Sequence, residues 1–236
     1  FGAVDTSRPI VPYAMFKPES QKIETVFRSM SYMTVDIENP AIHYNDLEFA
    51  AFVHPIACIG CVYVDKNNEK TRKVFAWGTV KSEKHEMYAS EKDMLHAFNQ
   101  WFKQKNPDCL VGFNSNRFDF PYIFGRFDKH HIEWTSIWSK LRGVKPYINK
   151  RSEGYKGVVS VICPGRVFID VMMYCKNLVG LKLDEYSLNS IARHYDIGQK
   201  DDILPSKLYS YFYTESAEKR EKFFDYCLQD VELTWL

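Results

Sequence analysis

No stretch of these 236 residues approaches the roughly 18 consecutive apolar residues that a membrane-crossing helix needs. No secretory leader is visible at the start. The chain also lacks charge of one sign: 31 basic residues face 30 acidic ones, for a formal net charge of +1. A polyanion-binding protein need not be basic overall, but its basic groups must then be concentrated locally. Internal repeats and low-complexity segments are missing. Cysteine is sparse and scattered, at 58, 61, 109, 163, 175 and 227. Four of the six lie in apolar segments, which reads as reduced thiols of an intracellular protein. Cys58 and Cys61 form a CxxC, but no second pair follows at zinc-site spacing. Both sit inside the strand-like run Ile56–Val64 and read as ordinary strand cysteines.

Apolar residues are plentiful by contrast. Hydrophobic content of 45% and aromatic content of 16% allow a substantial core. The length suits one large domain or two small ones. Residues 1–31, with Pro9, Pro12 and Pro18, show no sustained period and read as an irregular lead-in, the end of a preceding domain. Met33–Ile37 reads as a strand, with 57–64 and 73–77 as partners in a meander. Ser90 opens a helix, with Asp93 in the place of the capping-box Glu and Met94, Ala97, Phe98 and Trp101 on one face. Cys109–Gly112 is a short strand, and Asp119-Phe120-Pro121 a helix start. Residues 131–157 read as an excursion over the surface. The β-rich runs 157–163 and 166–172 are expected to form a hairpin across Pro164-Gly165. Leu188, Ile191, Ala192 and Tyr195 mark another helix. The last helix starts near Ser216 and buries Phe223, Phe224, Cys227, Val231 and Trp235. This order predicts an α/β domain over 32–236, a mixed central sheet flanked by helices. The chain begins with Phe1 rather than Met and ends inside a helical pattern, so a longer polypeptide is expected.

Three short motifs carry chemistry. In Asp36-Ile37-Glu38 both acids leave the same face of a strand while Ile37 points into the core. Gly112-Phe113-Asn114-Ser115-Asn116-Arg117-Phe118-Asp119 sets a carboxylate at a helix start after a loop. Alone, Asp119 reads as a helix cap. Asn114 closes the loop or donates to a phosphate or sugar, and Phe118 is core or a platform on which a base stacks. Tyr226-Cys227-Leu228-Gln229-Asp230 puts Tyr226 and Asp230 four apart on one helix face. Each motif has a bland reading on its own. Together they supply Asp36, Glu38, Asp119 and Asp230 as hard oxygen ligands, which suit Mg²⁺ or Mn²⁺. Clustered carboxylates repel one another unless cations lie between them. Two such ions can cut a phosphodiester by in-line attack of a bound water. A Tyr hydroxyl, with a reference pKa of about 10, would orient that water and would be a poor base. A basic run between 140 and 156, with Lys140, Arg142, Lys145, Lys150, Arg151 and Lys156, offers a candidate track for the substrate backbone.

The motifs occur in order, separated by 119 − 36 = 83 and 230 − 119 = 111 residues. They resemble the Exo I, Exo II and Exo III motifs of the proofreading exonuclease of family B DNA polymerases: DxE, then Nx₃FD, then Yx₃D. The resemblance extends to Asp108–Asn114, Phe118–Ile123, Gly165–Asp170 and Leu181–Ala192, and covers about 32–236. Its texture is nearest to delta-type enzymes and those of large DNA viruses. The Tyr of the third motif sets the chain apart from the sister group with His there. Asn39 stands where the family usually carries a small or apolar residue.

This resemblance implies a ribonuclease H-like (DnaQ-like) fold with an inserted β-hairpin over 145–169. The implied activity is 3′→5′ removal of mismatched nucleotides from DNA. Asp36, Glu38, Asp119 and Asp230 would bind two Mg²⁺ (or Mn²⁺), and Tyr226 would position the water. Asn114, Phe118, Lys150 and Arg151 would contact DNA, with Phe118 as a wedge at the terminal bases. Asp170 is assigned a structural role. Implied partners are the single-stranded 3′ end of primer–template DNA, a polymerase domain of the same polypeptide, and a processivity clamp as a further candidate. No membrane partner is implied. The resemblance points to a nucleus or a viral replication site without deciding between them. Motifs of the polymerase itself are absent from these residues. Two alternatives stand beside this reading: a free-standing DEDD exonuclease on DNA or RNA, and an inactive DNA-binding or scaffold domain of the same fold. Inactive relatives usually lose acids, whereas this chain keeps all four and the Tyr.

Overall fold

The structure, a computed structural model, describes residues 30–39, 53–78, 82, 84–150, 159–199, 205–214 and 216–236. Most of the lead-in lies outside these residues. Strand β1 (Tyr32–Glu38) pairs antiparallel with β2 (Cys58–Val64), from Tyr32 opposite Val64 to Glu38 opposite Cys58. β2 pairs in turn with β3 (Lys70–Trp77), which makes the expected meander. A short β4 (Glu86–Tyr88), not foreseen, runs parallel to β3. On the other side of β1 lie β5 (Cys109–Gly112) and β8 (Val167–Asp170), both parallel. The mixed sheet therefore has the order β4-β3-β2-β1-β5-β8. β2 is buried along its whole length because it is an interior strand with helices over both faces.

Side-chain alternation divides β1 between two layers. Met33, Val35 and Ile37 enter the larger core with helix α1 (Glu91–Lys105) and helix α2 (Asp119–Lys129). Asp36 and Glu38 project to the opposite face, the one that helix α7 (Ala217–Trp235) covers against Cys58, Val62, Val74 and Ala76. Ser90 caps α1 as expected: its hydroxyl accepts from the Asp93 N–H at 3.2 Å and donates to the Asp93 carboxylate at 2.7 Å. Ser216 caps α7, its hydroxyl accepting from the Lys219 N–H at 3.4 Å. α7 comes so near the sheet that a Cβ on Gly60 would stand 2.9 Å from the Cys227 carbonyl oxygen and Sγ. Gly60 is the cross-strand partner of Asp36, so the closest approach falls beside the first acid.

Two expectations are corrected. The hairpin across Pro164-Gly165 does not form. β7 (Val159–Ile162) pairs instead with β6 (Tyr147–Lys150), while β8 joins β5 in the main sheet. The cause lies in Arg166, whose guanidinium donates to the Trp138, Pro107 and Ile137 carbonyls and fixes the start of β8 beside β5. An inserted hairpin is present, but its strands are 147–150 and 159–162.

Nor are residues 131–150 of the expected excursion 131–157 a plain surface segment; 151–157 lie outside the described residues. A short helix α3 (Thr135–Trp138) delivers Trp138 into the core. There its ring stacks on Phe102 at 3.8 Å and its Nε1 donates to Asn99 at 3.0 Å. Trp134 is buried as well. After β8 come a short helix α4 (Val171–Met173), a wide π-helical turn (Tyr174–Leu178), α5 (Leu188–Tyr195) and α6 (Pro205–Phe212). Among the described residues no helix is long and apolar enough to cross a membrane.

Candidate active site

The parallel arrangement of β1, β5 and β8 brings three C-terminal strand ends to one edge of the fold, under α7. Each motif reaches that edge by a different local device. Asp36 and Glu38 arrive by strand alternation. One carboxylate oxygen from each, together with Cys227 Sγ, lies within 4.8 Å of the others. Glu38 is buried and Asp36 partly so.

Asp119 arrives through a tight turn. Gly112 ends β5, and the following loop folds back so closely that a Cβ there would stand 2.4 Å from the Ser115 side chain. Asn114 takes a left-handed backbone (φ 56°), which Asn tolerates better than most residues. Asp170, at the end of β8, holds this loop by accepting from the Asn114 N–H at 3.0 Å and the Asn116 N–H at 3.3 Å. A third contact, from the Met173 N–H, caps α4. The structural assignment of Asp170 thus has a definite form: it shapes the loop that carries Asn114, Phe118 and Asp119.

The Asp119 carboxylate accepts the Ile37 N–H at 3.1 Å, between the two acids of the first motif. It is 3% exposed. Burial raises its pKa to about 7, and the nearby charges of Asp170 and Asp230 add to the rise against backbone hydrogen bonds that lower it. Asp230 is buried on the sheet-facing side of α7. Four acids from three elements therefore converge at one strand edge. Such a set of hard oxygen donors, with one carboxyl buried deeply enough to titrate far above its ordinary range, has the chemistry of a divalent-cation site.

Tyr226 stands one turn before Asp230. It is half-buried, packs with the cluster around Phe223 and Phe224, and lines a surface cavity beside Asp225 and Gln229. Phe118 is also half-buried and leans on Tyr122, with ring centroids 5.7 Å apart. Asn39, the departure from the family pattern, is buried and its amide donates to the Tyr122 hydroxyl, which in turn donates to the His54 carbonyl at 2.9 Å. Lys150 is the last residue of β6, and Arg151 and Lys156 lie outside the described residues. Lys140 forms an ion pair with Asp108. Arg142 and Lys145 are exposed. The hairpin touches the site indirectly: the Val161 N–H reaches the Asn116 side chain at 3.4 Å.

The residue that sequence reading missed is Cys227. It was placed in the buried stripe of the last helix, and it is fully buried there. Its Sγ nevertheless faces the first motif, 3.9 Å from the Asp36 carbonyl oxygen. A hydrogen bond with the Cys58 thiol, burial and the charges of Asp36 and Glu38 together hold its pKa well above the ordinary thiol range, so it is a neutral thiol. Its position three residues before Asp230 was the available signal.

Comparison with known proteins identifies the family. The model of the family described as DNA polymerase family B, exonuclease domain, matches residues 12–191. That stretch contains Asp36, Glu38 and Asp119 and ends before Tyr226 and Asp230. The chain is 28% identical to the DNA polymerase delta catalytic subunit of Glycine max over 151 residues, 62% of this chain and 14% of the relative. It is 29% identical to the DNA polymerase catalytic subunit of rat cytomegalovirus (strain Maastricht) over 150 residues, 61% of this chain and 12% of the relative. Against the DNA polymerase of Thermococcus hydrothermalis the identity is 25% over 206 residues, 87% of this chain and 11% of the relative. The chain thus spans about one seventh or less of the length of these relatives. With the family match covering most of its length, the chain belongs to the exonuclease domain family of the family B DNA polymerases.

Proposed function

We propose that this chain is a 3′→5′ exonuclease of ribonuclease H-like (DnaQ-like) fold that removes mismatched nucleotides from DNA primer ends. In this reading it is the proofreading part of a larger family B polymerase. The observation that carries it is the convergence of Asp36, Glu38, Asp119 and Asp230 at the end of β1, in a chain of this family.

The donor set fits two Mg²⁺ or Mn²⁺, with Asp36, Glu38, Asp119 and Asp230 as ligands. When bound, such ions make a hydroxide-like nucleophile available at neutral pH and neutralise charge on the scissile phosphate. The chain's own residues do the rest. Asp119, tied to the Ile37 N–H, keeps the loop after β5 in register with β1. Tyr226 orients the attacking water through its hydroxyl, on the same helix face as Asp230. Phe118 gives the terminal base an aromatic surface, and Asn114 contacts the sugar or phosphate. Asp170 positions both by its grip on the loop backbone. The single-stranded 3′ end of primer–template DNA is the substrate, with Lys150 and Arg151 on its path. The other partners are a polymerase domain of the same polypeptide and a processivity clamp, at a nuclear or viral replication site.

The test is digestion of a 3′-recessed, 5′-labelled primer with Mg²⁺, with Mn²⁺ and with EDTA, beside an Asp36→Ala/Glu38→Ala protein. A ladder shortening from the 3′ end, dependent on metal and lost in the double variant, is expected. A folded wild-type protein inert on duplex and single strands, at high enzyme and with either metal, would reject activity in this chain alone.

A further inference from the structure

A second group of metal-binding side chains lies apart from the four acids, where the edge strand meets the first half of α7. His85 immediately precedes β4. Its side chain is 8% exposed, and its ring stands edge-on against Phe224, with centroids 5.7 Å apart. The Ser82 hydroxyl accepts the His85 N–H at 2.8 Å and fixes the turn. From α7, Glu221 and Asp225 face this ring at a spacing of four residues, which puts both on one side of the helix. His85 Nε2 lies 3.2 Å from Asp225 Oδ1 and 3.6 Å from Glu221 Oε2. One ligand atom from each of the three lies within 4.8 Å of the others.

These separations are informative. A charge-assisted N–H···O contact settles at about 2.7–2.9 Å. Two ligands of one ion, each about 2.0–2.1 Å from it, stand roughly 3.0–3.4 Å apart. The His85–Asp225 separation of 3.2 Å falls in the second range and the His85–Glu221 separation of 3.6 Å lies slightly beyond it, so neither pair has closed to the first. Lys84 holds the other oxygen of Asp225, at 3.0 Å to Oδ2. It thereby orients the carboxylate with Oδ1 towards the ring, as outer partners of metal-bound carboxylates do. A cavity of about 300 Å³, lined by Lys84, Glu221, Asp225, Tyr226 and Gln229, adjoins the group and leaves room for water ligands.

We propose that His85, Glu221 and Asp225 bind a borderline divalent transition ion, Zn²⁺ foremost, as a structural clamp between β4 and α7. One imidazole nitrogen and two carboxylate oxygens select such an ion over Mg²⁺. The site would fasten α7 one residue before Tyr226. It does not depend on the exonuclease reading, since none of its three ligands belongs to the four acids.

The test uses chelator-stripped protein with Asp36→Ala/Glu38→Ala, so that the other cluster cannot hold the ion. Co²⁺ is added as a visible stand-in for Zn²⁺, and Zn²⁺ itself is followed by calorimetry and thermal melting. One equivalent is expected to bind, with a visible Co²⁺ band and a Zn²⁺-dependent rise in Tm. His85→Gln and Asp225→Asn should each weaken binding beyond the roughly 10–100-fold that loss of an outer partner causes. Absence of saturable binding, or equal affinity in a folded Asp225→Asn protein, overturns the proposal. Asp225→Asn decides the matter if His85→Gln does not fold. Primer digestion reads the four acids separately, so either reading can fail without the other.

Discussion

Asp108 immediately precedes β5 and Asp119 follows the loop that leaves it, and each accepts a backbone N–H from the neighbourhood of β1. Their environments are opposite. Partial burial alone would raise Asp108, but hydrogen bonds from Lys140 and from the Ser31 N–H and hydroxyl outweigh it and hold the carboxyl at about 2. Deep burial and the acids Asp170 and Asp230 push Asp119 up to about 7. The fold supplies its own cation to one acid and further anions to the other. An acid of the first kind fastens a structure. One of the second kind stores unfavourable electrostatics that a cation from solution relieves.

The contrast is tested most severely by Asp119→Asn, which keeps the oxygen that accepts from Ile37 but removes the charge. Exonuclease activity should fall on the order of a thousandfold, about 4 kcal/mol of barrier. The metal-free protein should melt no lower than wild type in a thermal scan. A melting loss comparable to that of Asp108→Asn would erase the distinction between the two acids. Tyr226→Phe comes next, with kcat down about 10–100-fold and KM little changed in steady-state assays. An unchanged kcat would remove Tyr226 from the water-orienting role.

Asp108→Asn should leave the rate intact and cost about 1–2 kcal/mol in urea melts, since it uncouples Lys140 and weakens the tie to Ser31. The acid limb has a definite sign. The folded pKa is lowered, so this stabilisation is complete above the ordinary carboxylate value and disappears as pH falls from about 4 to about 2. Asp108→Asn should flatten the stability profile in that window. The smallest effect belongs to the surface charges. Arg142→Ala/Lys145→Ala should reduce the slope of log binding constant against log salt by at most about 1 on single-stranded DNA. Lys150→Ala/Arg151→Ala should reduce it more if the hairpin carries the strand.

Much of this was legible in the sequence, because it depended on short-range pattern. The β1–β2–β3 meander, the Ser90 cap, the strand Cys109–Gly112 and the helix beginning at Asp119 follow from alternation, capping and Gly/Pro punctuation. The convergence of the four acids was legible only as a joint pattern, since each motif alone has an ordinary structural reading. What escaped was decided by contacts distant in sequence. The edge of β5 and the reach of Arg166 determine the partner of β8, and no local signal at Pro164-Gly165 reveals either. Trp134 and Trp138 looked like parts of a polar segment because their partners Phe124 and Phe102 lie on other helices. Lys140 looked like a free basic group because Asp108 is 32 residues away in the chain. Cys227 faces the first motif because Gly60, on a different strand, admits the helix.

That last clearance makes α7 a lever with its fulcrum over Gly60. The helix rests on the bare backbone of β2 at Cys227, and Asp230 hangs less than one turn farther along. A methyl group at the fulcrum would lift the arm, because it meets the helix's own Cys227 carbonyl, backbone rather than a yielding side-chain tip, as closely as it meets the Cys227 sulfur. The gap between Asp230 and the acids of β1 is therefore set by the thickness of one residue that carries no chemistry. A Gly60→Ala protein that folds yet loses metal-dependent cleavage would show that this single hydrogen calibrates the aperture for the ions. Unchanged cleavage would show that the arm has slack.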